Sequence, residues 1–140
     1  MTAVDILKHY NLNKTHCRVL VLEHLMRSFR ALSQQEIEHS LRPLCNRSTI
    51  YRILNKLTEK RIVQNVTINN VNKYLFDEEA LNKQDHQELV YFQCMLCNQV
   101  MRAGKINTED FPLTDGFVKH RYNFVIQGIC DKCNPKHLER

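Results

Sequence analysis

Four cysteines fall into two CxxC pairs, Cys94/Cys97 in "YFQCMLCNQV" and Cys130/Cys133 in "GICDKCN", and that spacing permits three chemistries. Thiolates with two residues between them can supply half of a tetrahedral metal site with Zn–S bonds of about 2.3 Å. They can also cycle as a redox dithiol, or serve a zinc deaminase of HxE…PCxxC pattern, in which a glutamate moves protons beside a metal-activated water. Two pairs meeting at one ion use all four thiols and leave no open coordination position, which is the design of a structural zinc centre. Redox CxxC motifs open a helix that lowers the thiol pKa, whereas "ELVYFQC" makes Cys94 the end of a strand-like run. The deaminase reading can point to "HQE" at His86–Glu88, but Glu88 is followed by only five residues before Cys94. Phe92-Gln93 stands where the proline context belongs, and the second pair is left idle. The cysteines are therefore read as one structural Zn2+ per chain, with no enzyme activity and no small-molecule substrate. Cys17 and Cys45 stand apart from both pairs and read as small buried apolar residues.

The elements around the pairs are short. "ELVYFQC", "QVMRA" and "KHRYNFVIQGIC" read as strands, and the stretch around "NTEDFPL" as a short helical segment. All three glycines, Gly104, Gly116 and Gly128, lie in this half, where strands turn and the chain bends close to a metal knuckle. A unit of roughly sixty residues has a small core, and a zinc that pins its last strand to an earlier hairpin is a fitting staple.

The first half reads differently. "THCRVLVLEHLMRSF" keeps Val19, Leu22, Leu25, Met26 and Phe29 near one helical face, and "SQQEIEHSL" opens with a capping box of Ser33 and Glu36. After a turn at "RPLC", "NRSTIYRILNKLTEKRIV" sets Ile50, Ile53, Leu54 and Leu57 on one stripe of a helix beginning near Asn46 to Ser48. Arg47, Thr49, Tyr51, Arg52, Asn55 and Lys56 occupy the opposite face. "IVQNVTINNVNKYLF" then supplies two β-rich runs around Asn69 and Asn70, residues that tolerate the positive φ of tight hairpin turns. Helix, helix, turn, helix, hairpin is the order of a winged helix-turn-helix, whose second helix of the pair enters the DNA major groove. The polar face suits that role: Arg reads guanine, Asn reads adenine, and Tyr and Thr contact thymine methyls or phosphate.

Charge follows the same division. Residues 1–76 hold twelve Lys/Arg against five Asp/Glu, a net +7, and residues 77–140 hold eight against ten, a net −2. A basic half joined to a near-neutral one points to a polyanion-binding module attached to something else. A zinc-stabilised adaptor whose basic face binds acidic protein shares this pattern. With 43% apolar and 25% charged residues, the 140-residue chain has the composition of a folded protein. No apolar run approaches the ~20 residues of a bilayer-spanning helix, and "MTAVDILKHYNLNK" lacks the layout of a secretory signal. The expectation is a cytoplasmic α+β protein without membrane contact: a winged helix-turn-helix at 1–76, a polar hinge at 77–85 and a small zinc-binding unit at 86–140.

Taken together the motifs resemble the ferric uptake regulator family of bacterial metal-responsive repressors. "STIYRILNKLTEKRIV" is similar to its recognition helix and exit, "LNKTHCRVLVLEHL" to its LxxTxxRxxIL opening, "FQCMLCNQV" to its CxxCGxV and "GICDKC" to its closing GxCxxC. The resemblance implies a homodimer built by the C-terminal unit, with each protomer placing its winged helix on half of an inverted-repeat DNA operator. It implies DNA contacts by Tyr51 and Arg52, backbone approach by Lys14 and Arg18, and structural zinc at Cys94, Cys97, Cys130 and Cys133. Ser48, beside Arg47 at the start of that helix, joins the expected DNA-contacting set.

The departures from the family concern metal sensing. Arg102 stands where an acid is expected five residues after the second Cys, and the strand position where a His is expected before the second CxxC falls near Tyr122. The His before the second winged-domain helix and the acid of the last wing strand become Ala31 and Leu75, and the His-rich run shrinks to His86. Asn98 replaces the Gly after CxxC, a modest change because Asn also visits left-handed backbone. His86 and His120, with an acid such as Asp85, Glu109 or Asp110, remain candidates for a substitute regulatory site.

Overall fold

The computed structural model describes residues 1–79, 81 and 86–138, and the chain divides into two compact units, Met1–Asn82 and Lys83–Arg140. Ala80 and residues 82–85, Asp85 among them, together with 139–140, lie outside the described residues, so part of the expected hinge and one candidate acid are not described. No helix among the described residues is long and apolar enough to cross a membrane.

In the first unit, α1 (Ala3–His9) is fixed by a capping box between Thr2 and Asp5 and buries Ala3, Ile6 and Leu7. The sequence reading omits this helix, although the Thr2–Asp5 pair and the i, i+3, i+4 spacing of Ala3, Ile6 and Leu7 carry its signal. α2 (His16–Arg27) starts at Thr15, whose side chain accepts from Arg18 N–H, and buries Val21, Leu22 and Leu25. The periodicity places Phe29 on that face, but the helix ends before it and its side chain is exposed. α3 (Gln34–Leu41) carries the expected box, with Ser33 Oγ accepting from Glu36 N at 3.2 Å and Glu36 Oε1 accepting from Ser33 N at 3.1 Å.

α4 (Arg47–Glu59) is capped by Asn46, whose Oδ1 accepts from Thr49 N at 2.8 Å. Its stripe of Ile50, Ile53, Leu54 and Leu57 is buried as the periodicity predicts, against a core that includes Leu7, Leu22, Leu25 and Ile37. β2 (Val63–Ile68) and β3 (Val71–Phe76) then form an antiparallel hairpin, with Asn69 at φ 53° and Asn70 at φ 64° making the tight turn. A two-residue strand, β1 (Leu32–Ser33), pairs with β3 and completes the sheet order β1-β3-β2. Asp77, just past β3, is buried, with its N–H on Ile62 O and its carboxylate accepting from Gln64 and from Glu79 N–H.

The second unit is a three-stranded sheet of order β5-β4-β6. β4 (Gln87–Cys94) pairs antiparallel with β5 (Val100–Asn107), and a register shift falls at Val90/Tyr91. The short helical segment is one 3-10 turn, Thr108–Asp110. β6 (Phe124–Gly128) runs parallel to β4, and the last helix, α5, covers Pro135–Leu138. The run "KHRYNFVIQGIC" is thus strand only from Phe124 to Gly128. Ahead of it the side chains pack on one another, with Lys119 Nζ 4.7 Å from the Tyr122 ring centroid and Tyr122 stacked on Phe124. The described buried apolar residues of this unit are Leu89, Tyr91, Cys94, Val100 and Cys130, a small core of which two members are metal-type thiols.

Candidate metal centre and nucleic-acid interface

The strand pairing that makes the second sheet also assembles the four thiols. Cys94 ends β4 opposite Gly128, the last residue of β6, and Met95 N–H donates to Gly128 O at 2.7 Å, so the two CxxC turns start side by side. The first turn closes with Asn98 N–H on Cys94 O at 2.9 Å, and Asn98 takes φ 61°, the left-handed conformation the sequence predicts for it. The second turn closes with Cys133 N–H and Asn134 N–H on Cys130 O. Gly128 has a separate reason to be Gly: a Cβ there would lie 3.0 Å from Phe92 Cζ. Gly116, at φ 86°, sits in a turn, but Gly104 lies inside β5 with open space where a Cβ would stand, so the expectation of turns or close approach fails for Gly104.

The Sγ atoms of Cys94, Cys97, Cys130 and Cys133 all lie within 4.8 Å of one another. A tetrahedral ion with Zn–S bonds of about 2.3 Å requires neighbouring sulfurs about 3.8 Å apart, and Cys97 Sγ and Cys130 Sγ are 3.9 Å apart. Backbone N–H groups of Cys97 and Cys130 each donate to Cys94 Sγ at 3.5 Å, the outer hydrogen bonds that orient a thiolate ligand. Those N–H donors pull the Cys94 thiol down to about 6, whereas hydrogen bonding with Cys130 pushes Cys133 up to about 12. One thiolate forms readily and another resists ionising beside its neighbours, a resistance that a divalent cation removes. The donor set fits zinc, with Cys94 and Cys130 buried and Cys97 and Cys133 toward the surface. Four thiolates close the tetrahedron, so a bound zinc would staple strands and have no open position for substrate or water.

His86 and Glu109 meet across the β4–β5 end, with Nε2 3.5 Å from Oε1, and both are exposed. His120 is exposed in the segment before β6. Among the described residues the four cysteines are the only group of three or more potential ligands, so His86, His120, Glu109 and Asp110 do not form a cluster.

In the first unit α4 turns its polar face outward. Arg47, Ser48, Tyr51, Arg52 and Asn55 are exposed, and Thr49 and Lys56 are half-buried. Ser48 Oγ donates to the Asn46 cap, Arg47 Nε reaches Glu38 at 3.4 Å and Lys56 reaches Glu59 at 3.5 Å. Tyr51, Arg52 and Asn55 make no side-chain hydrogen bond or ion pair with another described residue. Lys14 is exposed ahead of α2, while Arg18 is half-buried with Nη1 on Asn13 O at 3.0 Å, bracing the entry to α2.

Comparison with known proteins adds the family to this geometry. The ferric uptake regulator family model matches residues 9–124. The chain belongs to the ferric uptake regulator family. Members of this family are metal-responsive, DNA-binding transcription regulators and not enzymes. No curated protein matches the chain by sequence. Among solved structures, a zinc uptake regulator complexed with zinc and DNA superposes with a TM-score of 0.75 at 24% identity, covering 94% of this chain and 89% of that one. Holo XcZur gives 0.66 at 18% identity, covering 90% and 89%. The Helicobacter pylori ferric uptake regulator, described with three functional metal-binding sites, gives 0.59 at 20%, covering 93% and 87%.

One pair of residues departs from the sequence reading. Cys17 and Cys45 are not isolated apolar side chains but form a disulfide, with Cα atoms 5.9 Å apart at a sequence separation of 28. Their spacing carries no signature. The packing of α2 against the α3–α4 turn brings them together, a tertiary contact that no local pattern announces.

Proposed function

We propose that this regulator is a cytoplasmic, homodimeric repressor that binds an inverted-repeat operator in duplex DNA near metal-homeostasis or stress genes, with one structural zinc per chain at the four-cysteine site. The observation that carries the reading is the outer face of α4, where Tyr51, Arg52 and Asn55 project from a capped and well-buried helix without competing partners among the described residues. In this reading Tyr51, Arg52 and Asn55 contact bases, with Thr49 and Ser48 beside them. Lys14, Arg18, Arg47 and Lys56 hold phosphates. The second copy docks on the C-terminal unit. Among the described strands β6 is at a sheet edge, and Ile126 on it and Ile129 just past it are exposed, a surface that a like unit would cover.

The family's usual sensing ligands are replaced by groups that cannot serve. Ala31 and Leu75 are buried apolar residues, Arg102 puts a guanidinium where an acid belongs, and Tyr122 carries the Lys119 ammonium over its ring. We infer that the inducing signal is changed or lost, while operator binding and the structural zinc remain. Binding of the zinc-loaded protein to a palindromic AT-rich duplex at two salt concentrations tests the reading. Affinity that falls steeply with salt supports a DNA regulator. Salt-insensitive or absent binding favours a protein-interaction module instead.

A further inference from the structure

The Cys17–Cys45 pair belongs to the first unit and lies off the helix face proposed to meet DNA, yet its position couples it to that face. Cys17 lies in the first turn of α2, one residue before Arg18. Cys45 immediately precedes Asn46, whose side chain caps α4 through Thr49 N and receives Ser48 Oγ. Cys45 also lines a cavity of about 330 Å³ shared with Glu38, Arg42, Asn46 and Arg47. The Cα separation of 5.9 Å lies at the centre of the range that lets two cysteines bond without backbone movement. In the cytoplasm proposed above, thiols are kept reduced, and a disulfide found there is characteristically a transient or sensing one.

We propose that Cys17 and Cys45 form a reversible oxidation site for hydroperoxides, and that its disulfide form clamps the start of the recognition helix. The chemistry balances with one peroxide. A thiolate attacks a peroxide oxygen and the O–O bond breaks. The departing hydroxide takes a proton to become water, leaving a sulfenic acid. The second thiol attacks that sulfur, a second water leaves and the S–S bond forms. Two thiols are oxidised by two electrons as one hydrogen peroxide becomes two waters. A dithiol reductant of the thioredoxin class reverses the reaction by exchange, becoming a disulfide itself.

The surroundings suit each step. Cys17 is half-buried and Cys45 is buried on the core of the first unit, so Cys17 is the thiol a peroxide meets first and Cys45 the one that closes the bond. Without the cross-link the α3–α4 turn is held by Leu44 N–H and Cys45 N–H on Leu41 O and by packing. With it, the residue before the cap is bonded to α2. Oxidation therefore preorganises the N-terminus of α4, and duplex affinity rises roughly three- to tenfold. That last consequence rests on the DNA-binding reading, whereas the oxidation site and its clamp do not.

The test uses the full-length, zinc-loaded protein, treated with limiting hydrogen peroxide or with a dithiol reductant while zinc content is monitored. Peptide mass mapping reads the cross-link, hydrogen exchange reads residues 47–50, and duplex titration reads binding. The expected result is a Cys17–Cys45 peptide that forms and is reduced reversibly, with slower exchange at 47–50 in the oxidised form. Cys17→Ser and Cys45→Ser should abolish both responses. No cross-link, an irreducible one, or equal exchange in the two states of the wild-type chain would overturn the proposal. Reversible cross-linking with the exchange change but no duplex binding in either state supports the clamp and counts against the DNA-binding reading.

Discussion

Tyr51 and Arg52 are where the account is most exposed to single substitutions. Both side chains point into solvent from a helix whose opposite stripe is buried, so removing them leaves the core intact. Each good base contact is worth about 1–3 kcal/mol. Arg52→Ala or Tyr51→Ala is expected to weaken duplex binding by roughly five- to hundredfold, with the melting temperature unchanged. Fluorescence anisotropy with a parallel melt checks this, and unaltered affinity would remove α4 from the interface. At the metal centre the relevant residue is Cys94. Its thiol, ordinarily near 9, is held at about 6, so its thiolate favours the folded state in alkaline solution and that advantage fades as pH falls toward 6. Protons and zinc compete for the same sulfurs, so zinc retained after dialysis should fall as the solution is made acidic, at a pH below that at which the metal-free thiols ionise because the cation itself stabilises the thiolates. Zinc retention indifferent to acidification, or unchanged when Cys94 is replaced by Ser, would contradict thiolate ligation.

Among the elements, α4 was the most legible in the sequence, because a four-residue apolar stripe, an Asn cap and a polar opposite face all agree. The Ser33–Glu36 box and the Asn69-Asn70 turn were legible for the same reason: their chemistry is local. α1 carries a shorter version of the same signal, a Thr2–Asp5 box and apolar residues at 3, 6 and 7, whereas β1 was not legible, since its two residues are strand only because β3 pairs with them. The parallel pairing of β6 with β4 and the Cys17–Cys45 bond were hidden too, being contacts across many residues. The four zinc-type cysteines were readable from spacing; the failure of His86, His120 and Glu109 to cluster was not, because it depends on where the β4–β5 end and the exposed segment before β6 lie. Asn46→Ala removes the acceptor for Thr49 N–H and should cost about 1 kcal/mol of stability, and it should also weaken DNA binding by loosening the first turn of α4. Leu54→Ala, at a fully buried position of the same helix, should cost about 2–5 kcal/mol. Chemical denaturation separates the two, and equal effects would mean that the cap and the core had been misjudged.

For the molecule as a whole, charge and metal divide along the chain as the two units do. The basic first unit bears the five cations proposed to meet DNA, and the second holds the four thiols, two of them within its small core. A dimer that neutralises about six to eight phosphates should lose affinity with a log–log salt slope of about −5 to −7, and a slope near zero would remove the phosphate contacts. The central claim joins these units to a sensing function that has changed: structural zinc is kept and the family's regulatory ligands are not. The most direct measurement is metal stoichiometry of the purified protein together with its duplex affinity before and after adding zinc, iron or manganese. The expected result is one tightly held zinc per chain and an affinity indifferent to further metal; a second metal equivalent that switches DNA binding would overturn it.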